Sequence, residues 1–253
     1  MLKTVMIEEM SWSDFAEAMS SNDLVIVPVG SIEEHGPHNP LGTDMLIARA
    51  VAKEVGEKVG APVAPVMPIG NTRNLMGFPG TAHIDPELLR QVMVQVCEAF
   101  IRAGAKRFLF VNGHGGNANA LRFVTTDLYD KYGVVSTHSE WWTVLPTIAD
   151  IPCNDHGGHY ETSMMMAVNE SIVDMAKAKT LPRKQITDNL EWEEGLKYAG
   201  ASIPLPIPLD KLTPQGNYGA EAEKANKALG ERMYTAYVDF CAGLAQELRK
   251  IVI

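Results

Sequence analysis

The chain has 253 residues, 46% of them hydrophobic and 21% charged, and carries a formal net charge of −9. That length and composition fit a globular domain with a substantial core and exclude a disordered chain. The acidic balance argues against nucleic acid or an anionic membrane as partner, since both demand a basic surface. No run approaches the ~20 apolar residues of a membrane span.

The N-terminal MLKTVMIEEMSW carries early acidic residues and no long apolar run, so it does not read as a signal peptide, and a cytoplasmic location is expected. Four short apolar runs read as buried strands: 24–29, 62–67, 107–111 and 134–137. Between them lie helical patterns. One spans about 44–59. A second opens at Asp85-Pro86-Glu87, where Asp85 can cap free amides, Pro86 suits the first helical position and Glu87 suits the positive dipole end. Leu89, Val92, Val96 and Phe100 then share a face, and Gly104 is the expected stop. Further helices are expected over about 117–132 and 220–250. The Met164-Met165-Met166 run reads as core or interface filler on a helix. Strands alternating with helices imply a three-layer α/β/α sandwich around a mostly parallel sheet, built as one domain over 1–253.

Cys97, Cys153 and Cys241 are odd in number and widely spaced, without a CxxC pair. They read as reduced thiols, not as a disulfide framework or a zinc-thiolate site. Asn169-Glu170-Ser171 matches a glycosylation triplet, but nothing points to secretion.

In such folds ligands bind beyond the carboxyl ends of the strands. The polar segments there are rich in metal-binding chemistry. The first strand runs into GSIEEHGPH and then PLGTD, which hold His35, His38, Glu33, Glu34 and Asp44. The third runs into NGHGGN, with His114, Gly115 and Gly116. A later segment, DHGGHYETS, holds His156, His159 and Glu161. Five of the seven histidines fall in these three segments. Imidazole and carboxylate together suit zinc, manganese or iron(II). Neighbouring glycines allow sharp turns and close approach to a metal or substrate. Asp44, at the start of a helix, is a reasonable bridge between two metals. Of the adjacent Glu33 and Glu34, one is expected to be a solvated loop residue. The Gly113–Gly116 turn before a helix also admits a phosphate-cradling reading, but it lacks the Walker lysine and the GxGxxG spacing.

Four linked motifs resemble the creatininase (creatinine amidohydrolase) family: PVGSIEEHGPHNPLGTD (28–44), GFPGT (77–81), VNGHGGN (111–117) and HGGHYETSMMMA (156–167). The resemblance covers roughly residues 3–170. It implies an α/β/α fold, a hydrolytic centre with two divalent metals (Zn, Mn or Fe) and a homo-oligomer, often a hexamer. By position, Glu33, His35, Asp44 and His114 would be metal ligands, with Asp44 bridging, and His156 would move the proton between water and leaving nitrogen. The implied reaction is hydrolysis of a C–N amide bond in a small polar substrate by a metal-activated water. A non-catalytic metal- or ligand-binding member of the same fold is the alternative.

The sequence also departs from creatininase itself. There the NGH is followed by Tyr-Glu, and that Glu binds the second metal; here the positions are Gly115 and Gly116. Glu161, also counted among the catalytic residues, is the candidate replacement, and His159 is another. A tryptophan four residues before the catalytic histidine is replaced by Pro152. Trp141 and Trp142 lie near the family's other active-site tryptophan and are expected at the substrate, together with His38, Gly115, Gly116 and His159. These changes point away from creatinine as substrate. Other members act on formamides or peptides, which leaves amide hydrolysis as the common chemistry.

Overall fold

Alternate residues of the first strand face opposite ways into two separate cores. Leu24 and Ile26 join one apolar cluster, and Val25, Val27 and Val29 join the other. All six residues of the strand are buried, as expected of a sheet covered on both faces. The computed structural model describes residues 3–182, 186–192 and 196–252.

The elements in chain order are α1 (Trp12–Ser20), β1 (Leu24–Val29), α2 (Thr43–Val59), α3 (Pro86–Arg102), β2 (Arg107–Asn112), α4 (Ala118–Tyr132), β3 (Val135–Glu140), α5 (Trp141–Ile148) and α6 (His159–Asn169). A small antiparallel sheet comes next, made of β4 (Leu190–Trp192), β5 (Leu196–Tyr198) and β6 (Ala201–Ile203). The chain then enters α7 (Lys227–Lys250). β1, β2 and β3 are parallel and adjacent in that order. One face of this sheet packs on α2, α5, α6 and α7 through Ile47, Leu145, Met165 and Met233. The other packs on α3 and α4 through Leu89, Met93, Leu121 and Val124. The result is the expected α/β/α sandwich. Met164 and Met165 are fully buried core residues. No helix among the described residues is long and apolar enough to cross a membrane.

The strand register fixes where polar segments can meet. Val29 pairs with Asn112, and Asn112 with Glu140, so the three strands end level. The segments after β1 and β2 therefore leave the sheet side by side.

Several expectations need correction. The 62–67 run is not a continuous strand: it touches β1 only at isolated bridges, Ile26 with Val63 and Val29 with Met67. Pro62, Pro65 and Pro68 supply no N–H to a ladder, which confines the segment to an interrupted edge. Asp85 precedes α3 without a side-chain cap bond; its carboxylate lies 3.5 Å from His83 Nε2 instead. The buried residues of α3 are Leu89, Met93, Val94 and Cys97, while Val96 is exposed. A stretch this rich in apolar residues offers more than one helical face. α7 begins at Lys227, not near 220, because Asn226 caps it by accepting from the Leu229 amide at 3.0 Å.

Candidate metal centre

The site is assembled by close backbone approach. A side chain at Gly30 would place its Cβ 2.4 Å from the Met45 Cα, and one at Gly113 would meet the Asp44 carbonyl at 2.3 Å. These two glycines let the ends of β1 and β2 press against the first turn of α2, which carries Asp44. The NGHGGN loop is then locked by its two asparagines. Asn112 Oδ1 accepts from the His114 amide (3.1 Å), and Asn117 Nδ2 donates to the Gly30 carbonyl (3.0 Å). Asn117 Oδ1 also accepts from the Asn71 amide at 3.0 Å.

Three groups of donor atoms result among the described residues, and two of them share Asp44. Glu33, Asp44 and His114 form the first; His35, Asp44 and Glu161 form the second. His114 Nδ1 lies 2.9 Å from Glu33 Oε2 and 3.0 Å from Asp44 Oδ2. His35 Nε2 lies 2.9 Å from Asp44 Oδ1 and 3.4 Å from Glu161 Oε2. The remaining nitrogen of each histidine faces a backbone carbonyl: His35 Nδ1 that of Glu33 (3.2 Å), and His114 Nε2 that of Asn71 (2.9 Å). A carbonyl only accepts, so these contacts hold a proton there and leave the other nitrogen facing the carboxylates, free to take a metal or, without one, a second proton. The Ser31 hydroxyl, 2.7 Å from Asp44 Oδ2 and 2.9 Å from Glu33 Oε2, steadies both acids.

This donor set fits a divalent metal pair. Metal–ligand distances of about 2.0–2.2 Å keep neighbouring donors roughly 3–3.5 Å apart, which is the spacing found here. The charge pattern agrees. Burial alone would push His35 down, but Glu161 and Asp44 outweigh it and hold the ring well above 6.5. His114 is likewise lowered by burial but raised well above 6.5 by Glu33 and Asp44. Asp44 is held far below its ordinary value by the two histidines, against its own burial. Three buried carboxylates attract cations, and histidine protons supply them when no metal does.

His156 stands beside these groups. Its Nδ1 lies 3.9 Å from Glu33 Oε1 and 3.8 Å from Glu161 Oε2. Its Nε2 lies 2.8 Å from the Glu34 carbonyl and 3.0 Å from Glu34 Oε1. Glu33, His35 and His156 form a third candidate ligand group, although its contacts are the longest of the three. Burial and His35 press His156 downward, yet Glu34 and Glu161 leave it raised to about 9. Glu34 is lowered by His156 despite its burial. Neither Glu33 nor Glu34 is solvated, contrary to expectation: they are 1% and 5% exposed.

Glu161, on the first turn of α6, accepts from the Gly157 amide at 2.7 Å, which fixes one oxygen near His35. Asp155 caps the same helix, accepting from the Tyr160 amide at 2.6 Å. Burial and then Glu161 raise it to about 7. Gly116 has no room for a side chain, since a Cβ there would fall 2.1 Å from the Asn71 carbonyl and 2.5 Å from His114 Nε2.

A cavity of about 620 Å³ opens onto these residues. Trp141, Trp142, Gly115 and Gly116 line it, as do Pro152 and Tyr218. The two indoles meet edge to face at 5.5 Å. His38 and His159 are not among its lining residues. His38 is buried with Nε2 3.0 Å from Thr162 Oγ1, and His159 stacks on Tyr160 at 4.9 Å. Sequence reasoning assigned no role to Ser31, Asn71 or Tyr218, none of which has a spacing signal of its own.

Buried histidines and carboxylates at the strand ends of an α/β/α sandwich define a candidate divalent-metal centre. The creatininase family model, described as creatinine amidohydrolase, matches residues 8–245, and the chain belongs to that family, an enzyme of the amidohydrolase class. It is 34% identical over 236 residues to the mycofactocin precursor peptide peptidase of Mycolicibacterium smegmatis, covering 87% of this chain and 83% of that one. It is 29% identical to the creatinine amidohydrolase of Pseudomonas putida, covering 72% and 78%. Among solved structures it resembles "Creatininase Mn" with a TM-score of 0.79 at 23% identity, over 97% of this chain and 98% of that one. A mutant creatininase of Zn-Zn type gives 0.78 at 23%, with the same coverage.

Proposed function

We propose that the protein hydrolyses a C–N amide bond with two divalent metals, one held by Glu33, Asp44 and His114 and the other by His35, Asp44 and Glu161. The observation that carries this reading is the pair of donor groups sharing Asp44. Bound there, the metals would polarise the amide carbonyl and lower the pKa of water. Zinc and manganese are suggested by the donor chemistry and by the forms of the solved creatininases, and iron(II) accepts the same ligands.

The chain's own residues supply the rest. Glu161 takes the place of the ligand that Gly116 cannot provide. Asn71 and the Glu33 carbonyl orient the two ligand histidines. His156, carrying a proton at Nδ1, gives it to the leaving nitrogen. Trp141 and Trp142 form an aromatic wall for the substrate. The cavity's volume suits a substrate larger than a single small ring, which agrees with replacement of the creatininase tryptophan by Pro152. A short peptide or a formamide is therefore favoured over creatinine, in line with the peptidase relative. We further propose a cytoplasmic homo-oligomer, of the hexameric kind the family suggests, with 1–253 as one hydrolase domain.

The test is a panel of creatinine, formamides and short peptides assayed with and without chelator. The reading expects turnover of at least one non-creatinine amide, lost on chelation and restored by Zn or Mn. Chelator-insensitive turnover would overturn it.

A further inference from the structure

The C-terminal third of the chain sends one segment back into the site. Gly216 and Gly219, both at φ +89°, bracket Asn217 and Tyr218. A Cβ at Gly216 would fall 1.6 Å from Glu34 Oε2, and one at Gly219 would meet the Asn154 carbonyl at 2.4 Å. Only glycine lets this strap pass between Glu34 and the 154–156 segment. Between the glycines, Tyr218 pairs with His156 through both backbone bonds: the His156 amide donates to the Tyr218 carbonyl (3.0 Å), and the Tyr218 amide donates back (2.9 Å). The Tyr218 ring then stacks against the imidazole, with centroids 5.3 Å apart and planes 26° from parallel.

The imidazole is thereby held on several sides. Glu34 holds its Nε2 edge, the His35 ring lies 4.4 Å away, and Tyr218 covers it from the strap. Glu34 occupies the Nε2 edge, which leaves Nδ1 as the nitrogen that faces Glu33 and Glu161. A ring that must deliver a proton from one nitrogen loses rate steeply when its aim drifts. We infer that Tyr218 is a positioning residue: its ring, stacked on His156, keeps Nδ1 aimed at the metal-facing carboxylates and the scissile amide. The inference rests on the proton-transfer role proposed for His156.

The backbone pairing does not depend on the side chain, so Tyr218→Ala removes the ring and leaves the strap. Tyr218→Phe keeps the stack and loses only the hydroxyl. On the metal-loaded enzyme with an amide substrate, Tyr218→Ala is expected to lower kcat by about 10-fold or more, with metal content within about 2-fold of wild type. Tyr218→Phe, which restores the ring, should recover most of the kcat lost in Tyr218→Ala. In a His156→Ala background, Tyr218→Ala should cost nothing further. Equal losses in Phe and Ala variants, or the same loss with and without His156, would overturn the inference. Imidazole ¹⁵N spectra separate it from the reading beneath it. If His156→Ala retains full turnover, the proton-transfer role has failed, yet the His156 ring signals should still broaden or shift in Tyr218→Ala and not in Tyr218→Phe. Unchanged ring signals in Tyr218→Ala would overturn the positioning itself.

Discussion

The two oxygens of Asp44 serve different histidines: Oδ1 lies 2.9 Å from His35 Nε2 and Oδ2 lies 3.0 Å from His114 Nδ1. One carboxylate at the start of α2 thus belongs to both donor groups. Asp44→Asn should therefore weaken both metal sites together, each by more than the roughly 10–100-fold that loss of an outer partner costs. Titration with Zn or Mn, followed by metal analysis, checks this. Weakening of one site alone would show that Asp44 does not bridge.

Metal binding should depend on pH in a defined direction. His35 and His114 are raised well above 6.5, so in the metal-free protein each metal must displace a histidine proton. Apparent affinity at each site then falls by roughly tenfold per pH unit on acidification through neutral pH. The same shift sets the stability of the metal-free fold. A raised histidine stabilises the fold fully below its unfolded value of about 6.5, and this contribution fades as pH rises through the folded value. Metal-free protein should lose Tm as pH rises from about 6.5 through the raised values of the two histidines, and added metal should restore it. Thermal melts with and without chelator across that range provide the measurement.

Gly116 is a steric requirement. Its Cβ would strike both the Asn71 carbonyl and His114 Nε2, the two atoms whose contact orients the His114 ring. Gly116→Glu puts a carboxylate where creatininase carries one, yet it should reduce metal retention by roughly 10–100-fold, as disruption of a ligand's outer partner does. Competition with a fluorescent chelator reads this directly. Tighter binding would mean that the loop can move aside.

His156→Ala should lower turnover by roughly 10²–10⁴ and leave metal content at the wild-type level. Steady-state kinetics paired with metal analysis distinguishes this from a ligand role. Loss of a metal with His156 would instead favour the third donor group, in which it joins Glu33 and His35.

Much of this site was legible in the sequence because its chemistry is local. Glu33, His35, Asp44 and His114 lie just past strand ends, flanked by glycines that announce close approach, and the fold delivers them to one place. The burial of Glu34 was not legible: it and Glu33 are adjacent in one loop, and the strap that packs against the Glu34 carboxylate at Gly216 comes from far along the chain. Tyr218 lies more than 60 residues beyond His156 in the chain, and their meeting depends on tertiary threading. The fold shows the same division. The uninterrupted apolar runs of β1 and β2 were readable, while prolines at 62, 65 and 68 turned a strand-like composition into an interrupted edge. His38 looked like site chemistry by proximity to His35, but the chain turns at Gly36 (φ +76°) and its ring packs on Thr162 instead.

The central claim is a two-metal centre completed by Glu161 in place of a carboxylate at Gly116. Metal stoichiometry of wild type and Glu161→Gln, each loaded with zinc and freed of excess, tests it most directly. The account predicts two metals per chain in wild type and one in Glu161→Gln. One metal in wild type, or two in Glu161→Gln, would contradict it.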